Sequence, residues 1–206
     1  FTFSVNDDGT LSDTATVSIT INSVNDAPLV SGISDQTVSE GEGFTVFDLD
    51  DHLTEVDGEG VLWTFSGNDS LTVAIDTDNM VTVTIPSENW NGTETITFIA
   101  TDDNSDGLSS SDAAIFTVTE VNDAPVANDQ SVTTDEDIDI SILLTGTDDD
   151  GDPLTYEVVT SPTNGTLSGT APVLSYSPNA EYNGSDSFTF SVNDDTVSDT
   201  ATVSIT

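Results

Sequence analysis

Short segments in which apolar and hydroxyl residues alternate run through the whole chain. Two examples are Thr95–Ala100 (TITFIA) and Ala15–Ile21 (ATVSITI). A period of two places one set of side chains on a buried face and the other set on a face exposed to water. The pattern therefore predicts antiparallel strands with one solvent-exposed face.

Turn signals separate these segments at short intervals. Asp-Gly pairs begin at Asp57 and Asp150, and Asn-Gly pairs begin at Asn91, Asn164 and Asn183. Asn-Gly favours the left-handed conformations of tight turns, so these three pairs predict hairpins. About seven short strands in about 95 residues are typical of an immunoglobulin-like sandwich with Greek-key connections.

Internal repeats divide the chain. Residues 1–20 (FTFSVNDDGTLSDTATVSIT) match residues 188–206 once Gly9 is treated as an insertion, and of the 19 aligned pairs only Leu11 and Val197 differ. Residues 98–125 are a more diverged copy of the same pattern of strand, Asp-Asp turn and strand. Repetition at the length of a small domain indicates a tandem array.

The pentapeptide VNDAP marks the joints of this array. It begins at Val24 and again at Val121, a spacing of 121 − 24 = 97 residues. The sequence therefore predicts an all-β chain of tandem sandwiches joined by short linkers. Its predicted parts are the last two strands of a preceding module with a linker (1–27), a complete module (28–124) and a module without its final linker (125–206).

The charge is extreme. The 206 residues contain 39 Asp and Glu and no Lys or Arg, giving a formal net charge of −39. Such a surface repels nucleic acid and anionic membranes. No apolar run approaches the ~20 residues of a transmembrane helix, so we expect no membrane insertion in this segment.

The carboxylates recur as clusters at matching places in each module. They lie in the VNDAP linkers, near each module start (Ser39–Glu42 and Thr134–Asp137), about ten residues later, and in the turn before the last strand. Calcium takes six to eight oxygen ligands, whereas zinc and copper prefer nitrogen or sulfur. With one His and no Cys, calcium is the favoured ion. The competing interpretation is an acidic, water-holding surface suited to a salty habitat, with no specific metal.

These motifs resemble those of cadherin-like repeats in bacterial surface proteins, which form long arrays on large secreted adhesins. Asn-Asp-x-Pro resembles a shortened cadherin linker, and Thr147–Asp152 resembles the Ala-x-Asp-x-Asp-x-Gly segment. Glu40 or Glu42 falls at the early glutamate of that family. The resemblance covers the whole chain and implies a cadherin-like fold with calcium at the joints.

For the joint between residues 28–124 and 125–206, the resemblance implies ligands from both modules and the linker. They are Glu40 and/or Glu42, Glu88, Glu120, Asn122, Asp123, Asp148, Asp150 and Asp194, with Asp149, Asp152 and Asp195 as alternatives.

For the earlier joint, the resemblance implies a smaller set: Asn25, Asp26, Asp57 and Asp102, with Asp50 or Glu55 as further candidates. Ser23 stands where the second joint has Glu120, and the Asp-x-Asp motif is stretched over residues 50–59.

Other residues point away from catalysis. His52 has no accompanying nucleophile motif, and acidic pairs at every joint indicate structure rather than glycoside hydrolysis. Trp63 and Trp90 are expected to pack in sandwich cores. Residues 1–21, as a lone pair of strands, are expected to be poorly packed or to take contacts from a neighbouring molecule.

The sequence thus predicts a non-enzymatic, calcium-rigidified extender of a bacterial adhesin, secreted or at the cell surface. The alternative is a calcium-dependent ligand-binding module, which would bind neighbouring copies of itself or a polysaccharide.

Overall fold

The architecture is all-β, as predicted. A computed structural model describes residues 1–22, 24–58, 60–103 and 106–206. Within these residues the regular elements are strands, apart from one 3-10 turn at Asp50–His52. Ser23 and Glu59, two positions of the predicted motifs of the first joint, lie outside the described residues.

Contacts divide the chain into two compact units. Unit 1 comprises residues 1–37, 43–86 and 93–117, and unit 2 comprises residues 38–42, 87–92 and 118–206. Two loops that belong to residues 28–124 in sequence, 38–42 and 87–92, are therefore grouped with unit 2.

The first eleven strands follow in chain order. They are β1 (Thr2–Asn6), β2 (Ser12–Thr16), β3 (Leu29–Val30), β4 (Gln36–Ser39), β5 (Phe47–Asp48), β6 (Leu53–Thr54), β7 (Val61–Ser66), β8 (Thr72–Ile75), β9 (Met80–Thr84), β10 (Gly92–Asp102) and β11 (Ser109–Thr119). They form a four-stranded sheet of order β4-β11-β10-β7, a three-stranded sheet of order β5-β9-β8, and the pairs β3-β6 and β1-β2.

The core of unit 1 lies between the four-stranded and three-stranded sheets. Phe98 on β10 and Phe116 on β11 are fully buried, and the Phe47 ring meets Phe98 edge-on at 5.6 Å between ring centroids. Val81 on β9 is also fully buried. The alternation that the sequence shows is therefore the alternation between core and solvent.

The remaining strands repeat this plan. They are β12 (Val126–Ala127), β13 (Gln130–Val132), β14 (Ile140–Leu143), β15 (Gly146–Thr147), β16 (Thr155–Thr160), β17 (Gly165–Thr170), β18 (Val173–Pro178), β19 (Asp186–Asn193) and β20 (Ser198–Ile205). They form sheets of order β13-β20-β19-β16 and β14-β18-β17 and the pair β12-β15. The β13 strand runs parallel to β20.

Both sheets supply the core of unit 2. Its buried members are Ile142, Leu144, Leu174, Tyr176, Phe188, Phe190, Val192, Ala201, Val203 and Ile205. Gly165 is needed for this packing, because a Cβ there would overlap the Tyr176 ring. The Tyr176 ring can therefore pack against the β17 backbone only where no side chain intervenes.

The hairpin prediction for the Asn-Gly pairs was wrong. Asn91-Gly92 leads from β9 in one sheet to β10 in the other, and Asn164-Gly165 and Asn183-Gly184 likewise connect strands of different sheets. A sandwich needs crossings between its sheets as well as hairpins within them, and local turn chemistry serves both. Trp63 is buried as predicted, whereas Trp90 is half-buried.

Candidate metal centre

Cluster one consists of Asn25, Asp26, Glu55, Asp57 and Asp102, all in unit 1. The Asn25 amide donates to Asp102 Oδ2 at 2.9 Å. The Asp26 backbone N–H donates to Asp57 Oδ2 at 2.6 Å, and the Asp57 N–H donates to Glu55 Oε1 at 2.8 Å. The linker is thus tied to the loop before β7 and to the end of β10.

Cluster two consists of Asn122, Asp123, Asp148, Asp150, Asp152 and Asp194, all in unit 2. The Asn122 amide donates to Asp194 Oδ2 at 3.0 Å, and the Asp123 N–H donates to Asp150 Oδ2 at 2.6 Å. The Asp150 N–H donates to Asp148 Oδ1 at 3.0 Å. Each of these three bonds has an equivalent in cluster one.

The repeated bonds settle how the two acidic loops align. Glu55 and Asp57 correspond to Asp148 and Asp150, because Asp57 and Asp150 each accept from a linker N–H and each donates its own N–H to the acid two residues earlier. Glu59 then corresponds in sequence to Asp152 (EVDGE against DDDGD). Asp50 is elsewhere: its Oδ1 accepts from the Asn79 amide at 2.9 Å. The structure therefore bonds Glu55, and not Asp50, to the Asp57 residue that contacts the linker.

In cluster two, three carboxylates converge. One oxygen from each of Asp148, Asp150 and Asp152 lies within 4.8 Å of the others. Such a group of oxygens matches the hard-ligand preference of calcium. Asp152 also donates its backbone N–H to Asp148 Oδ1 at 3.1 Å, which closes the loop around the carboxylates.

Burial and mutual repulsion perturb this cluster. The pKa of Asp123 is raised by desolvation and by Asp150, Asp149 and Glu40 nearby. The pKa of Asp152 is raised by desolvation and then by Asp148 and Asp150. With no Lys or Arg in the chain, no side-chain cation other than the single histidine can relieve this repulsion.

Asp194 behaves in the opposite way. It is buried, but the Asn122 amide, followed by the Val197 backbone N–H, lowers the pKa of its carboxyl group. Its Oδ1 accepts from the N–H groups of Thr196 and Val197 at 2.6 and 2.7 Å. Asp194 is therefore held ionised.

Some buried carboxylate oxygens have no hydrogen-bond partner among the residues that the structure describes. They are Asp102 Oδ1 and Glu55 Oε2 in cluster one and Asp148 Oδ2 in cluster two. A buried acceptor without a donor costs about 1–3 kcal/mol, and more when it is charged. A bound cation would satisfy such oxygens, so the residues present fit a calcium ion.

Glu40 contacts the second linker. Its Oε2 accepts from the Val121 backbone N–H at 2.9 Å, and its Oε1 accepts from the Asn91 amide at 3.1 Å. A cavity of about 220 Å³ beside it is lined by Glu40, Gly41, Glu88, Asn89, Val121 and Asp123. Glu40 and Glu88 thus lie near cluster two within unit 2.

The other predicted ligands are less involved. Glu42 is exposed and accepts from the Ser39 N–H of its own turn at 3.1 Å. Glu120 and Asp195 are exposed. Asp149 Oδ2 accepts from the Asn89 amide at 3.3 Å.

Several other acids have structural roles that sequence reasoning missed. Asp112 and Asp199 accept from the Ile33 and Ala127 N–H groups at 3.0 and 2.9 Å. Glu94 accepts from the N–H groups of residues 69–71. Recurrence at equivalent positions of both repeats was the available signal. In these loops a carboxylate, rather than a backbone carbonyl, accepts from the N–H group. The acidic residues of this chain therefore have structural roles beside the candidate metal-binding one.

Asp186 has the same structural role, and its hydrogen bonds change the pKa of its carboxyl group. Burial is the largest influence on its carboxyl group, but hydrogen bonds from Thr163, Asn164, Ser187 and Tyr176 together lower its pKa. Burial, followed by the Asp186 hydrogen bond, raises the pKa of Tyr176 to about 12. The ionised carboxylate therefore fastens the loop before β17 to the core.

His52 has no described catalytic arrangement. Its ring meets Phe47 edge-on at 6.1 Å between ring centroids. Among the described residues, no helix has the length and apolar character needed to cross a membrane.

Comparisons with known proteins agree with this fold. A family model described as bacterial Ig domain matches residues 25–119 and again residues 122–206. No curated protein matches the chain.

Solved structures of cadherin repeats are similar in fold. Protocadherin gammaB7 EC3-6 superposes with a TM-score of 0.56 at 21% identity over 99% of this chain and 55% of that one. Protocadherin gamma C5 EC1-3 gives 0.54 at 17% identity over 94% and 72%. Drosophila N-cadherin EC1-4 gives 0.52 at 17% identity over 88% and 49%.

The chain spans about half the length of the protocadherin gammaB7 and N-cadherin structures. The predicted likeness to bacterial cadherin-like repeats is confirmed at the level of family and fold. Domains of this type are typically non-enzymatic and extracellular. The chain belongs to the bacterial Ig domain family, of which it carries two tandem copies with a cadherin-like fold.

Proposed function

We propose that this chain is a calcium-binding extender segment of a bacterial adhesin, secreted or displayed at the cell surface. The observation that carries the proposal is the repeated linker network. In both clusters an Asn-Asp pair is bonded to two acidic segments, and each cluster contains at least one buried carboxylate oxygen without a donor among the described residues.

The ligand assignment follows the clusters. Asp148, Asp150, Asp152, Asp123 and Asp194 would hold calcium in cluster two, with Glu40 and Glu88 on the side of the cavity. Asn122 would supply its amide oxygen, because its amide nitrogen is bonded to Asp194. In cluster one the ligands would be Asn25, Asp26, Glu55, Asp57 and Asp102.

A bound ion would supply positive charge and oxygen coordination. The protein positions the ligands: Asn25 and Asn122 orient the buried carboxylates of Asp102 and Asp194. The linker N–H groups orient Asp57 and Asp150. Because no Lys or Arg balances the charge, the carboxylates of each linker and of its acidic loops repel one another when no cation is bound. We propose that residues 28–124 and 125–206 are the modules that calcium holds in a fixed arrangement.

Calorimetric titration with calcium tests the proposal. We expect saturable binding to the full chain, much weaker binding of magnesium, and a rise in melting temperature with calcium. Ligand at 100 times its dissociation constant stabilises by about 2.7 kcal/mol. The double variant Asp57→Asn/Asp150→Asn is the control and should lose most of the binding.

Scattering separates the extender role from the alternatives. Small-angle scattering should show a longer maximum dimension with calcium than with chelator. An unchanged dimension would contradict the extender role. Calcium-dependent self-association, or retention on a polysaccharide gel, would instead favour the ligand-binding role. Equal protection by sodium chloride and by millimolar calcium would favour an acidic spacer without a metal.

A further inference from the structure

Asn-x-Ser/Thr motifs occur at four places in the chain, and three of them contain the Asn-Gly pairs that connect strands of different sheets. The motifs begin at Asn68, Asn91, Asn164 and Asn183. Asn-x-Ser/Thr, with any residue except Pro in the middle, is the acceptor pattern for N-linked glycans. Transfer of a glycan needs access to the Asn amide nitrogen and to the hydroxyl two residues later. The fold therefore decides which of the four motifs can be modified.

Hydrogen bonds and strand pairing occupy two of the motifs. The Asn68 amide donates to the Leu71 carbonyl at 3.2 Å, and the N–H groups of the next two residues donate to Glu94. Asn164 is half-buried, and the two residues after it begin β17, where they pair with β18. Both motifs would have to leave these partners before a sugar could be transferred.

The motifs at Asn91 and Asn183 lie in equivalent loops. In each loop the aromatic residue before the Asn packs over the Gly after it, because a Cβ on either glycine would lie 3.0 Å from that aromatic residue. The Asn91 amide donates to Glu40 Oε1 at 3.1 Å, and the Thr93 hydroxyl donates to the Thr117 hydroxyl at 3.2 Å. The Asn91 motif is therefore bonded at both groups that glycan transfer requires.

The loop at Asn183 lacks the acidic partner of the earlier loop. Glu40 and Thr134 occupy equivalent positions, because their backbone N–H groups donate to the carbonyls of Thr119 and Thr206 in the same way. The Thr134 hydroxyl donates to a carbonyl of its own loop at 2.8 Å. The change from Glu to Thr therefore leaves the Asn183 amide without this partner.

The whole motif at Asn183 is open to solvent. Asn183, Gly184 and Ser185 are exposed and lie between β18 and β19. Among the residues that the structure describes, the Asn183 side chain makes no hydrogen bond. Asn91 is also exposed, although a further repeat follows it along the chain. Exposure of this loop is therefore common to both repeats, and only the hydrogen bonds of the Asn and of the hydroxyl differ.

We propose that Asn183 is an N-glycosylation site, modified on the folded chain by a glycosyltransferase whose donor is a sugar linked to a diphosphate. In the reaction, Asn183 Nδ2 forms a bond to the anomeric carbon of the sugar. The bond between that carbon and the diphosphate oxygen breaks, and the diphosphate leaves with the bonding electrons. The amide nitrogen loses one proton, so no oxidant or reductant is needed.

The glycosylation site lies away from the candidate metal centre. Asn183 precedes β19, and Asp194 of cluster two follows that strand. At about 3.3 Å per residue, the eight residues of β19 separate them by roughly 26 Å. A glycan at Asn183 therefore adds a hydrophilic group to unit 2 without covering the carboxylates of cluster two. Calcium titration thus tests the proposed function separately from this proposal.

Glycan transfer to the purified, folded, full-length chain tests the proposal. One arm uses an Asn-specific glycosyltransferase with a nucleotide-linked hexose, and the other uses a bacterial oligosaccharyltransferase with a lipid-linked oligosaccharide. Peptide mass spectrometry locates the added sugar. In at least one arm we expect modification at Asn183 and little or none at Asn68, Asn91 and Asn164. The chain contains no Lys, so glycation of lysine cannot imitate this result.

Matched controls separate the effect of the fold from that of the motif. Short synthetic peptides, each with one of the four motifs, should all be modified, because no hydrogen bonds or strand pairing protect them. In the full chain, Asn183→Gln and Ser185→Ala should each lose the sugar, whereas Ser185→Thr should keep it. Unchanged near-UV circular dichroism confirms that these exposed substitutions leave the fold intact.

Three outcomes would overturn the proposal. The first is an unmodified Asn183 in both arms. The second is equal modification of all four motifs in the folded chain, which would mean that the fold does not select Asn183. The third is conversion of Asn183 to Asp without sugar, a reaction that Asn-Gly pairs undergo by loss of ammonia and addition of water.

Discussion

The two acidic clusters share a linker network but differ in how their buried carboxylates are satisfied. Asp194 Oδ2 accepts from Asn122, and its Oδ1 accepts from two backbone N–H groups of its turn. Asp102 Oδ2 accepts from Asn25, but its Oδ1 is buried with no partner in the described part of the chain. Cluster one therefore depends more on a bound cation for satisfaction of its buried charge.

The comparison also changes the importance of the linker residue before each Val-Asn-Asp. The sequence suggested that Glu120 gives the second joint an advantage over the first. Glu120 is exposed, and its side chain takes no part in the hydrogen bonds described for cluster two. The linker bonds that repeat are made by the Asn and Asp, which both joints share.

The largest expected effect is the loss of calcium binding at one cluster when one of its carboxylates is replaced. Asp57→Asn should weaken calcium binding at cluster one, and Asp150→Asn at cluster two, each by at least about tenfold. Both replace a carboxylate that accepts a linker N–H at 2.6 Å. Calorimetry should show the loss of one class of sites in each variant.

Exposed acids outside the clusters provide matched controls. Asp51→Asn in unit 1 and Asp139→Asn in unit 2 remove the same charge from exposed positions and should leave calcium affinity nearly unchanged. If they reduce binding as much as the cluster variants do, diffuse charge rather than a defined site binds the ion.

A second prediction separates structural carboxylates from cluster carboxylates. Asp186→Asn should destabilise unit 2 by about 2–3 kcal/mol, because the ionised side chain accepts several hydrogen bonds, including Tyr176 O–H at 2.9 Å. Urea unfolding should give the same loss with calcium and with chelator. A loss that calcium largely reverses would place Asp186 in the metal site.

Asp186 also makes the stability of unit 2 depend on pH under acidic conditions. Its folded pKa lies below the ordinary value of 3.8. The stability that it contributes is therefore present above about pH 4 and is lost as the pH falls through the folded pKa. Acid unfolding monitored by tyrosine should begin at a higher pH in Asp186→Asn than in the natural chain.

A third prediction compares the two linker asparagines without calcium. Asn25→Ala leaves both oxygens of Asp102 without a described donor, whereas Asn122→Ala leaves Asp194 with two backbone donors. Asn25→Ala should therefore cost about 1–2 kcal/mol, and Asn122→Ala should cost less. Thermal unfolding in chelator measures both, and the opposite order would contradict the comparison.

The smallest effect concerns pH in cluster two. Asp123 and Asp152 have folded pKa values above the ordinary 3.8. The folded state therefore gains stability as the pH falls through the raised values toward 4, and loses it as the pH rises. In chelator, unit 2 should therefore melt at a slightly higher temperature at mildly acidic pH than at pH 7.

Calcium should reverse that dependence, because protons compete with the ion for the same oxygens. Asp152→Asn should flatten the dependence in chelator. If stability in chelator falls steadily from pH 7 to pH 5, mutual repulsion does not dominate this cluster.

Most of the fold was predictable from local patterns. Alternation in Thr95–Ala100 identified a strand with one buried face, and the repeated FTFSVNDD segment identified tandem copies of one architecture. These features could be read because side-chain period and repetition are properties of the chain itself. The Asn-Gly pairs could not be assigned, because the same turn residues serve hairpins and crossings between sheets.

The candidate site was likewise only partly predictable from the sequence. Residue types alone predicted oxygen ligands for a hard cation and identified Asn25, Asp26, Asn122 and Asp123 as the linker pairs. The alignment of Glu55 with Asp148 was left open, since Asp50 offered an equally acidic motif. Only the contacts of Asp26 with Asp57, and of Asp57 with Glu55, decided between them.

The sequence by itself therefore determined the strand composition, the repeat and the absence of any Lys or Arg to balance the carboxylates. The tertiary structure alone decided which carboxylates accept from backbone N–H groups and which buried oxygens have no donor in the described ranges. It also decided that the face buried in residues 188–206 is exposed in residues 1–20. The physical reason is that burial and hydrogen bonding depend on what packs against a residue, which nearly identical segments do not share.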